Sequence, residues 1–523
     1  MEIGSGRRRG FGAGSERKLA RLVSVSFPGR DLSLGVVGLK AYAMRDETIA
    51  ASWSIGIDQF LLDTPEQEML ERLKVADDDC YCFSAYVWNV SKILAVATML
   101  KEWDAEKTVV LGGPEASGMA GKLLREHPCV DYVVKGDGEL AFRELLKARD
   151  QNDLAKVPNL ARRRNGGVVC NPERQVENLD DLPLPYESED YRRYLDESPA
   201  PVRAAIETSR GCPFSCAYCS WGRKRMRYFG LDKLRPAFEY LFRHPKVATV
   251  YITDSDPFLK KGRARELLEM LLELNAAKKP VTFELNPEYM DDDGLLEMIS
   301  QINEEEFAFG VQSTSPKVLD QIERRFDGER YRRNIALMRR TNPKIQMWFS
   351  LIIGLPGDNY GQYADSLDYV LNLKPDGIYV HELLCLPGSK FYDHPERYGL
   401  EFQEEPPHKI TANRTFPLDQ YNRAKWLSYN VSLMHRVPAV RDRLFELHRG
   451  NGRESLVGLY ERFLAFAEGK LDTLGGERIE DVSSWFFEQR AKAFLEASQN
   501  RADLESLVVA FEELQRTTGG GAG

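Results

Sequence analysis

Three cysteines in one short stretch are the residues whose spacing most directly indicates chemistry. Residues 208–222 read TSRGCPFSCAYCSWG, and Cys212, Cys216 and Cys219 follow C-x3-C-x2-C spacing. A loop this short can turn three thiolates toward a common centre, and soft iron–sulfur clusters select thiolate ligands. Because a four-iron cluster normally takes four thiolates, three would leave one iron open for a small molecule. Three buried cysteines in a turn, or a zinc site with a fourth ligand from elsewhere, are the alternatives.

Composition limits the class of protein. A chain of 523 residues is too long for one ordinary core, so two or three domains are expected. Hydrophobic residues at 43% and charged residues at 29% are typical of a soluble globular protein. No apolar run is long enough to span a membrane or to serve as a secretion signal, so we expect a cytoplasmic protein. A net charge of -9 argues against a nucleic-acid partner.

The first part of the chain alternates short apolar strands with amphipathic helices. This alternation predicts a doubly wound parallel sheet, in which ligands gather at the carboxyl ends of the strands. The predicted strands are 22–27, 48–53, 80–85, 109–111 and 132–134, and the predicted helices are 34–44, 65–74, 90–103 and 116–126.

The next segment predicts a connection between domains. Residues 149–201 contain a hairpin turn at 162–167 and a proline-spaced, extended strap at 178–186. Beyond it, a repeated strand and helix unit predicts an open (β/α)6 barrel over 202–395, whose reactive face lies at the strand carboxyl ends. The predicted barrel strands are 204–207, 250–253, 282–285, 307–312, 346–353 and 377–382.

The repeat stops near residue 395. Residues 396–516 predict a mainly helical domain that caps the barrel, and residues 1–18 and 517–523 predict disordered tails. The predicted core anchors of the helical domain are Trp426, Trp485, Phe486 and Phe487.

At the cysteine loop the sequence resembles the radical S-adenosylmethionine (radical SAM) superfamily. The resemblance implies that Cys212, Cys216 and Cys219 bind a 4Fe–4S cluster. It also implies that the open iron chelates the amino and carboxylate groups of S-adenosylmethionine (SAM), and that an electron from the cluster splits SAM to a 5′-deoxyadenosyl radical. An external donor of the flavodoxin or ferredoxin type would supply that electron.

The ends of the later barrel strands resemble the SAM-contacting segments of that superfamily. The resemblance implies contacts to the methionine amino group, the ribose and carboxylate, and the adenine. The residues concerned are, in that order, Asp254 and Asp256, then Glu284, Gln312 and Ser313, then Ile352 and Gly354. For the two aspartates, capping a helix is the competing role.

The N-terminal region resembles the cobalamin-binding domain that precedes the cluster domain in one large class of radical SAM enzymes. Segments 111–115 (LGGPE) and 134–139 (VKGDGE) carry this resemblance. The cobalt-binding motif Asp-x-His-x-x-Gly is missing, so the resemblance implies a cobalt without a histidine below it. A domain that binds no cofactor is the alternative. The implied cobalamin contacts are Ser84, Tyr86, Trp88, Gly112, Gly113, Pro114, Glu115, Gly136, Gly138 and Glu139.

Three further residues near the end of the sixth barrel strand are candidates for catalysis. His381 or Glu382 could act as a general acid or base, although each could equally be a hydrogen-bonded residue at the barrel rim. Cys385, shortly after them, is a candidate catalytic thiol or auxiliary ligand.

The resemblance as a whole implies a cobalamin-dependent radical SAM methyltransferase. Its substrate would be a small molecule or peptide, methylated at an unactivated carbon or at phosphorus. Radical cyclisation, rearrangement or 3-amino-3-carboxypropyl transfer is the runner-up. A non-catalytic iron–sulfur or cobalamin-binding protein is the alternative from another class.

Overall fold

The computed structural model describes residues 17–27, 32–221, 224–302, 306–451, 454–467, 473–474, 477–478, 484–496 and 498–519. These residues divide into two units, Met1–Ala200 and Pro201–Gly523. Of the tails predicted at 1–18 and 517–523, residues 1–16 and 520–523 lie outside the described residues. The first strand begins at Lys18, and the last helix continues to Gly519. Within the described ranges no helix combines the length and the apolar character that a membrane span needs.

Unit 1 is built on a seven-stranded sheet with the order β2-β1-β3-β4-β5-β6-β7. Strands β1 to β5 pair in parallel, and β6 and β7 add an antiparallel hairpin. The strands are β1 (Lys18–Ser26), β2 (Trp53–Leu61), β3 (Cys80–Ser84), β4 (Thr108–Gly112), β5 (Tyr132–Val134), β6 (Leu160–Arg164) and β7 (Gly167–Cys170). The helices are α1 (Leu34–Ala43), α2 (Glu47–Ser52), α3 (Glu66–Ala76), α4 (Val90–Trp103), α5 (Pro114–Glu126), α6 (Glu139–Lys147), α7 (Gln151–Leu154) and α8 (Glu189–Glu197).

One predicted strand of unit 1 is wrong. Residues 48–53, predicted as a strand from their apolar character, form helix α2 instead, and strand β2 begins only at Trp53. The cause is a helix cap, because the Asp46 carboxylate accepts hydrogen bonds from the backbone N–H groups of Thr48 and Ile49. The cap acts on residues two and three positions after Asp46. Of the segment whose apolar pattern suggested a strand, helix α2 buries only Ile49.

The hairpin predicted at 162–167 is present and extends the sheet. Asn165 (φ 51°) and Gly166 (φ 78°) both have left-handed backbones, as a two-residue hairpin turn between twisted strands requires. The hairpin pairs with β5 through β6. Part of the region expected to be a linker therefore belongs to the sheet of unit 1.

Unit 2 contains a parallel six-stranded sheet with the order β15-β14-β13-β12-β11-β8, which confirms the predicted (β/α)6 architecture. The strands are β8 (Val202–Ile206), β9 (Ser209–Cys212), β10 (Lys224–Tyr228), β11 (Val247–Ile252), β12 (Val281–Leu285), β13 (Glu306–Gln312), β14 (Gln346–Ile353), β15 (Gly377–Glu382), β16 (Leu400–Phe402), β17 (Ile410–Asn413), β18 (Thr473–Leu474) and β19 (Glu477–Arg478). The helices are α9 (Leu231–Arg243), α10 (Lys261–Leu274), α11 (Asp293–Ile302), α12 (Pro316–Gln321), α13 (Gly328–Thr341), α14 (Tyr360–Asn372), α15 (Lys390–Asp393), α16 (Pro395–Tyr398), α17 (Leu418–His435), α18 (Pro438–Asn451), α19 (Leu456–Phe466), α20 (Ser484–Glu496) and α21 (Ser498–Gly519).

The two faces of this sheet differ in burial. Along one face an aromatic row, Phe283, Phe307, Phe309 and Phe349, is fully buried and packs ring on ring. The alternate positions form the opposite face, which we call the open face. It carries less buried side chains, among them Tyr251, Thr282, Glu284, Trp348, Tyr379 and His381.

The C-terminal part of unit 2 is mainly helical, as predicted. Helix α17 packs along the edge strand β15, so that edge is covered rather than left to pair with another chain. Among the predicted core anchors, Phe487 is buried against Tyr429, whereas Trp426 is only half-buried. The side chains of Trp485 and Phe486 lie outside the described residues.

Candidate functional site

The three-cysteine loop begins where the first barrel strand ends. Strand β9 leads into Cys212 and pairs antiparallel with β10, so the loop between them is closed at its base. Cys212 is buried, and Cys216 and Cys219 are partly buried. Within the loop the Cys219 N–H donates to the Cys216 carbonyl (3.1 Å), and the Trp221 N–H donates to the Cys219 Sγ (3.4 Å). Such N–H···S bonds favour a thiolate.

An apolar cluster supports the loop from below. Ala217, between the second and third cysteines, is buried in this cluster together with Ile322, Ile352 and Cys385. Its N–H donates to the Ile322 carbonyl (2.9 Å), so the loop is held by backbone as well as by packing. Burial raises the pKa of the Cys212 thiol, because withdrawal of water disfavours the charged thiolate.

The described residues contain no group of three His, Cys, Asp or Glu side chains arranged to hold one metal ion. The cysteines of a four-iron cluster each bind a different iron, so their thiolates stand further apart than ligands that share one ion.

Asp254 and Asp256, predicted to contact SAM or to cap a helix, accept hydrogen bonds from backbone N–H and hydroxyl groups of the protein. Asp254 is 1% exposed and accepts from the Thr208 N–H (2.8 Å), the Thr208 Oγ1 (2.6 Å) and the Ser209 Oγ (2.5 Å). Asp256 accepts from the N–H groups of Phe258 (3.0 Å) and Asn286 (3.1 Å). Burial raises the pKa of both carboxyls, that of Asp256 to about 7. Asp254 thus fixes the segment that enters the cysteine loop.

A buried arginine that the sequence reasoning missed lies beside the loop. The Arg324 Nη2 donates to the Asn286 Oδ1 (2.8 Å) and the Gly310 carbonyl (2.7 Å), and it lies 3.6 Å from the Glu288 Oε1. Burial would lower the pKa of Arg324, but the acidic groups around it, Glu288 among them, outweigh burial and raise it, so the guanidinium stays charged.

Several polar atoms around Arg324 lack hydrogen bonds within the described part of the chain. They are the Arg324 Nε, both Glu288 carboxylate oxygens and the Gln312 Oε1. Gln312 ends β13 with a left-handed backbone (φ 67°), which is strained for a residue with a side chain. Unpaired buried polar atoms and local strain are both typical of a ligand site.

The other predicted SAM contacts fall into two groups. Glu284 is exposed on the open face, and Ile352 and Gly354 lie at the carboxyl end of β14, where Ile352 joins the apolar cluster under the cysteine loop. Ser313, in contrast, is 1% exposed, and its hydroxyl pairs with the Ser366 Oγ of α14 (3.4 Å). Ser313 therefore links a strand end to a helix.

The three catalytic candidates have different surroundings. Glu382 accepts hydrogen bonds from Tyr421 (3.1 Å) and Tyr429 (3.3 Å) and pairs with Lys425 (3.2 Å), so helix α17 occupies its carboxylate. Cys385 is fully buried in the apolar cluster, and burial raises its pKa to about 12. His381 stays exposed on the open face, and the withdrawal of water by the surrounding protein lowers its pKa.

In unit 1 the two glycine motifs meet at the carboxyl ends of β3, β4 and β5. Ser84 pairs in register with Gly112, and the Gly112 carbonyl accepts from the Ala85 N–H (2.7 Å). Ser117, which sequence reasoning missed, joins the two motifs, because its Oγ donates to the Gly113 carbonyl (2.8 Å) and accepts from the Gly136 N–H (3.0 Å).

The glycines of these motifs are needed for different reasons. A Cβ on Gly113 (φ 101°) would lie 2.5 Å from the Ala85 carbonyl oxygen, so its space is taken by the protein. A Cβ on Gly112 would meet nothing closer than 3.9 Å, and one on Gly136 nothing within 4 Å. Gly138 packs near Leu39. Only Gly112 and Gly136 therefore present open backbone.

Aromatic side chains line the end of β3. Tyr86 and Trp88 stack (centroids 4.5 Å apart, planes 11° apart), and Asn89 holds the turn by donating to the carbonyls of Val25 and Ser84. The buried Trp88 Nε1 has no partner within the described ranges. The remaining predicted contacts, Pro114, Glu115 and Glu139, begin helices α5 and α6, and both acids are buried.

Two family models match the chain. The B12 binding domain matches residues 37–146, and the radical SAM superfamily matches residues 206–370. Together these matches cover most of the sheet of unit 1 and of the sheet of unit 2.

Two curated relatives are methyltransferases. The cobalamin-dependent radical SAM methyltransferase TokK of Streptomyces tokunonensis is 31% identical over 384 residues, which is 69% of this chain and 55% of TokK. The 2-(S-pantetheinyl)-carbapenam-3-carboxylate methyltransferase of Streptantibioticus cattleyicolor is 32% identical over 387 residues, again 69% of this chain and 55% of that protein. The chain thus matches about half the length of each.

Solved structures share the fold. The cobalamin-dependent SAM radical enzyme OxsB with aqua-cobalamin bound has a TM-score of 0.64 at 14% identity, covering 96% of this chain and 81% of OxsB. The radical SAM methyltransferase TsrM of Kitasatospora setae, with cobalamin and a 4Fe–4S cluster bound, has a TM-score of 0.58 at 17% identity, covering 77% of this chain and 83% of TsrM. Because the two family models and the two curated relatives agree, the chain belongs to the cobalamin-binding radical SAM family.

Proposed function

We propose that the chain is a cobalamin-dependent radical SAM methyltransferase acting on an unactivated carbon, or on phosphorus, of a small molecule or peptide. The observation that carries the proposal is the three-cysteine loop at the carboxyl end of a parallel (β/α)6 sheet, because three thiolates leave one iron of a cluster open. That two relatives of this chain are methyltransferases favours methyl transfer over other radical outcomes.

The residues around the loop fit a 4Fe–4S cluster and SAM. Cys212, Cys216 and Cys219 would hold the cluster, and the donor set is the thiolate type that such clusters take. Arg324 and Gln312 offer polar atoms that lack partners in the described structure, as a zwitterionic ligand requires. Glu284 on the open face would accept from a ribose hydroxyl, and Ile352 with Gly354 would face the adenine.

The carboxyl edge of unit 1 fits a large, flat cofactor such as cobalamin. Gly112 and Gly136 expose backbone without side chains, and the Tyr86–Trp88 stack offers an apolar wall with one unpaired N–H. His127 is the single histidine before residue 200, and it follows helix α5, which runs from the carboxyl edge back to the opposite edge of the sheet. Unit 1 would therefore offer a bound cobalamin no histidine at its carboxyl edge.

The chain contributes placement and exclusion of water. When bound, the cluster supplies the electron that cleaves SAM, and cobalamin carries the methyl group to be transferred. Asp254 holds the entry to the cysteine loop, the apolar cluster around Ala217 and Ile352 keeps water from its underside, and Arg324 keeps a positive charge beside it. His381 is the candidate that remains free to meet a substrate on the open face.

Anaerobic reconstitution with iron, sulfide and cobalamin tests the proposal. We expect bound corrinoid and iron after desalting, and both 5′-deoxyadenosine and S-adenosylhomocysteine when SAM and dithionite are added with candidate substrates. The first product alone would favour cyclisation, rearrangement or another radical reaction over methyl transfer. Neither product, with cluster and SAM bound, would favour a carrier. A flavodoxin or ferredoxin in place of dithionite then tests the proposed external donor.

A further inference from the structure

The loop after β14 is held by residues from the region after the barrel. Gly354 and Gly357 both have left-handed backbones (φ 90° and 85°), so the loop turns sharply without regular structure. The Asn413 Nδ2 donates to the carbonyls of Gly354 (2.8 Å) and Leu355 (3.3 Å), and the Thr415 Oγ1 accepts from the Gly357 N–H (2.9 Å). The backbone groups of this loop are therefore satisfied by residues about sixty positions later in the sequence.

Tyr421 fills the space beside Gly354. A Cβ added at Gly354 would lie 2.9 Å from the Tyr421 Cε2 and 3.3 Å from its Cδ2. Real Cβ atoms essentially never show a contact as short as 2.9 Å, so the ring takes the place that a side chain at position 354 would need. The ring therefore lies on the side of Gly354 where a side chain would stand.

A buried charge cluster fixes the far end of the Tyr421 ring. The Tyr421 hydroxyl donates to the Glu382 Oε2 (3.1 Å), which also pairs with the Lys425 Nζ (3.2 Å). Tyr421 and Lys425 are one helical turn apart on α17, so they reach the same carboxylate. The Glu382 and Lys425 side chains are 9% and 7% exposed, and breaking such a pair would leave a charge buried alone.

We propose that Tyr421 is a positioning residue for SAM, assisted by Asn413. Ile352 and Gly354, the residues proposed to face the adenine, belong to the strand end and turn that these two side chains hold in place. The fixed ring prevents the turn from relaxing toward α17, and Asn413 prevents its carbonyls from rotating inward. This inference rests on the proposed function, since it assumes that SAM binds at this turn.

The test is SAM binding to the anaerobically reconstituted full chain, measured by equilibrium dialysis with labelled SAM. Tyr421→Ala removes the ring, and we expect the Kd for SAM to rise about tenfold or more. Tyr421→Phe keeps the ring and loses only the bond to Glu382, so its Kd should rise no more than about threefold. The matched control is Trp426→Ala, which removes a ring from the same helix without a described contact to the turn. Its Kd should equal that of the wild type.

Each result has a distinct meaning. If the wild type binds SAM and Tyr421→Ala binds it equally well while both remain folded, the inference is wrong although the proposed function stands. If Trp426→Ala weakens SAM binding as much as Tyr421→Ala, the effect is general loosening of α17 and the inference is also wrong.

A wild type that carries the cluster and does not bind SAM would overturn the proposed function itself. If Tyr421→Ala does not fold, Asn413→Ala decides, because it leaves the Gly354 and Leu355 carbonyls unpaired. A Kd for SAM several times that of the wild type supports the inference, and an unchanged Kd overturns it.

Discussion

The carboxyl edges of the two sheets differ in the groups that they offer to a ligand. In unit 2 several acidic side chains at the strand ends are hydrogen-bonded within the protein, as Asp254 is to Thr208 and Ser209. In unit 1 the edge is glycine backbone, and Gly112 and Gly136 leave open space where side chains would stand. In unit 2 the buried polar atoms beside Arg324 that lack hydrogen bonds among the described residues, and in unit 1 the glycines without a nearby side chain, are therefore the features to test for ligand binding.

Removing the cluster ligands should give the largest difference between the two edges, because it should abolish cluster binding in unit 2 and leave unit 1 unchanged. Each single variant should retain far less iron than a complete cluster, which holds about four irons per chain, because the two remaining thiolates cannot retain it. The variants are Cys212→Ala, Cys216→Ala and Cys219→Ala. Cobalamin retention, if it belongs to unit 1, should be unaffected. Iron analysis and the corrinoid absorbance of the same sample measure both.

The matched control for these variants is Cys170→Ala, an exposed cysteine of unit 1. It should keep the full iron content. Loss of corrinoid together with iron in the three variants would show that the edges do not act separately.

Two adjacent glycines give the next largest effect. Gly113→Ala should cost about 2–5 kcal/mol of unfolding free energy, because its left-handed backbone is strained for alanine and the new Cβ meets the Ala85 carbonyl oxygen. Gly112→Ala should stay within about 1 kcal/mol of the wild type and still weaken cobalamin retention. Denaturant unfolding and dialysis against free cobalamin distinguish the two. Equal destabilisation by both variants would contradict the difference in space.

Strands and helices that depend on a local pattern of apolar and polar residues can be predicted from the sequence. The buried strands of unit 2, such as β14 and β15, are predicted to their end residues because each is an apolar run between polar segments. Segment 48–53 is misjudged because its apolar pattern suits a strand as well as a helix. A single residue, the cap Asp46, decides for the helix.

Contacts between distant residues escape this kind of reasoning. Arg324 donates to Asn286, 38 residues earlier, and Asn413 reaches Gly354 across 59 residues. Neither spacing leaves a signal in one sequence, because the contact exists only after the strands have aligned. The roles of Asp254 and Glu382 were likewise open, since a carboxylate at a strand end suits a ligand and an internal hydrogen bond equally well.

A smaller effect on stability is expected from Asp358 of unit 2, which has only one of its two carboxylate oxygens in a hydrogen bond with described residues. Asp358 is fully buried, its Oδ1 accepts from the Asn359 N–H (2.9 Å), and its Oδ2 has no partner within the described ranges. Burial raises its pKa to about 7, so the folded chain keeps a proton that the unfolded chain releases. Stability should therefore fall as pH rises from about 4 to about 7, by at most about 1.4 kcal/mol per pH unit for this group.

Asp358→Asn should remove that share of the slope and gain stability relative to the wild type at pH 8. Urea unfolding at several pH values measures it, with the exposed Asp365→Asn as the control. A slope that is the same in Asp358→Asn and the wild type would mean that the Asp358 carboxyl is ionised in the folded chain.

The smallest effect should come from Cys385, the one cysteine of unit 2 outside the cluster loop. It is fully buried among apolar side chains under that loop, and its raised pKa keeps it a thiol at neutral pH. Cys385→Ala should cost about 1–2 kcal/mol, the loss of one buried atom from a packed core. Iron content, SAM affinity and 5′-deoxyadenosine formation should match the wild type. A fall in any of these, with Cys385→Ala otherwise folded, would instead assign the thiol to the chemistry. It would also mean that the apolar cluster under the loop does more than support it.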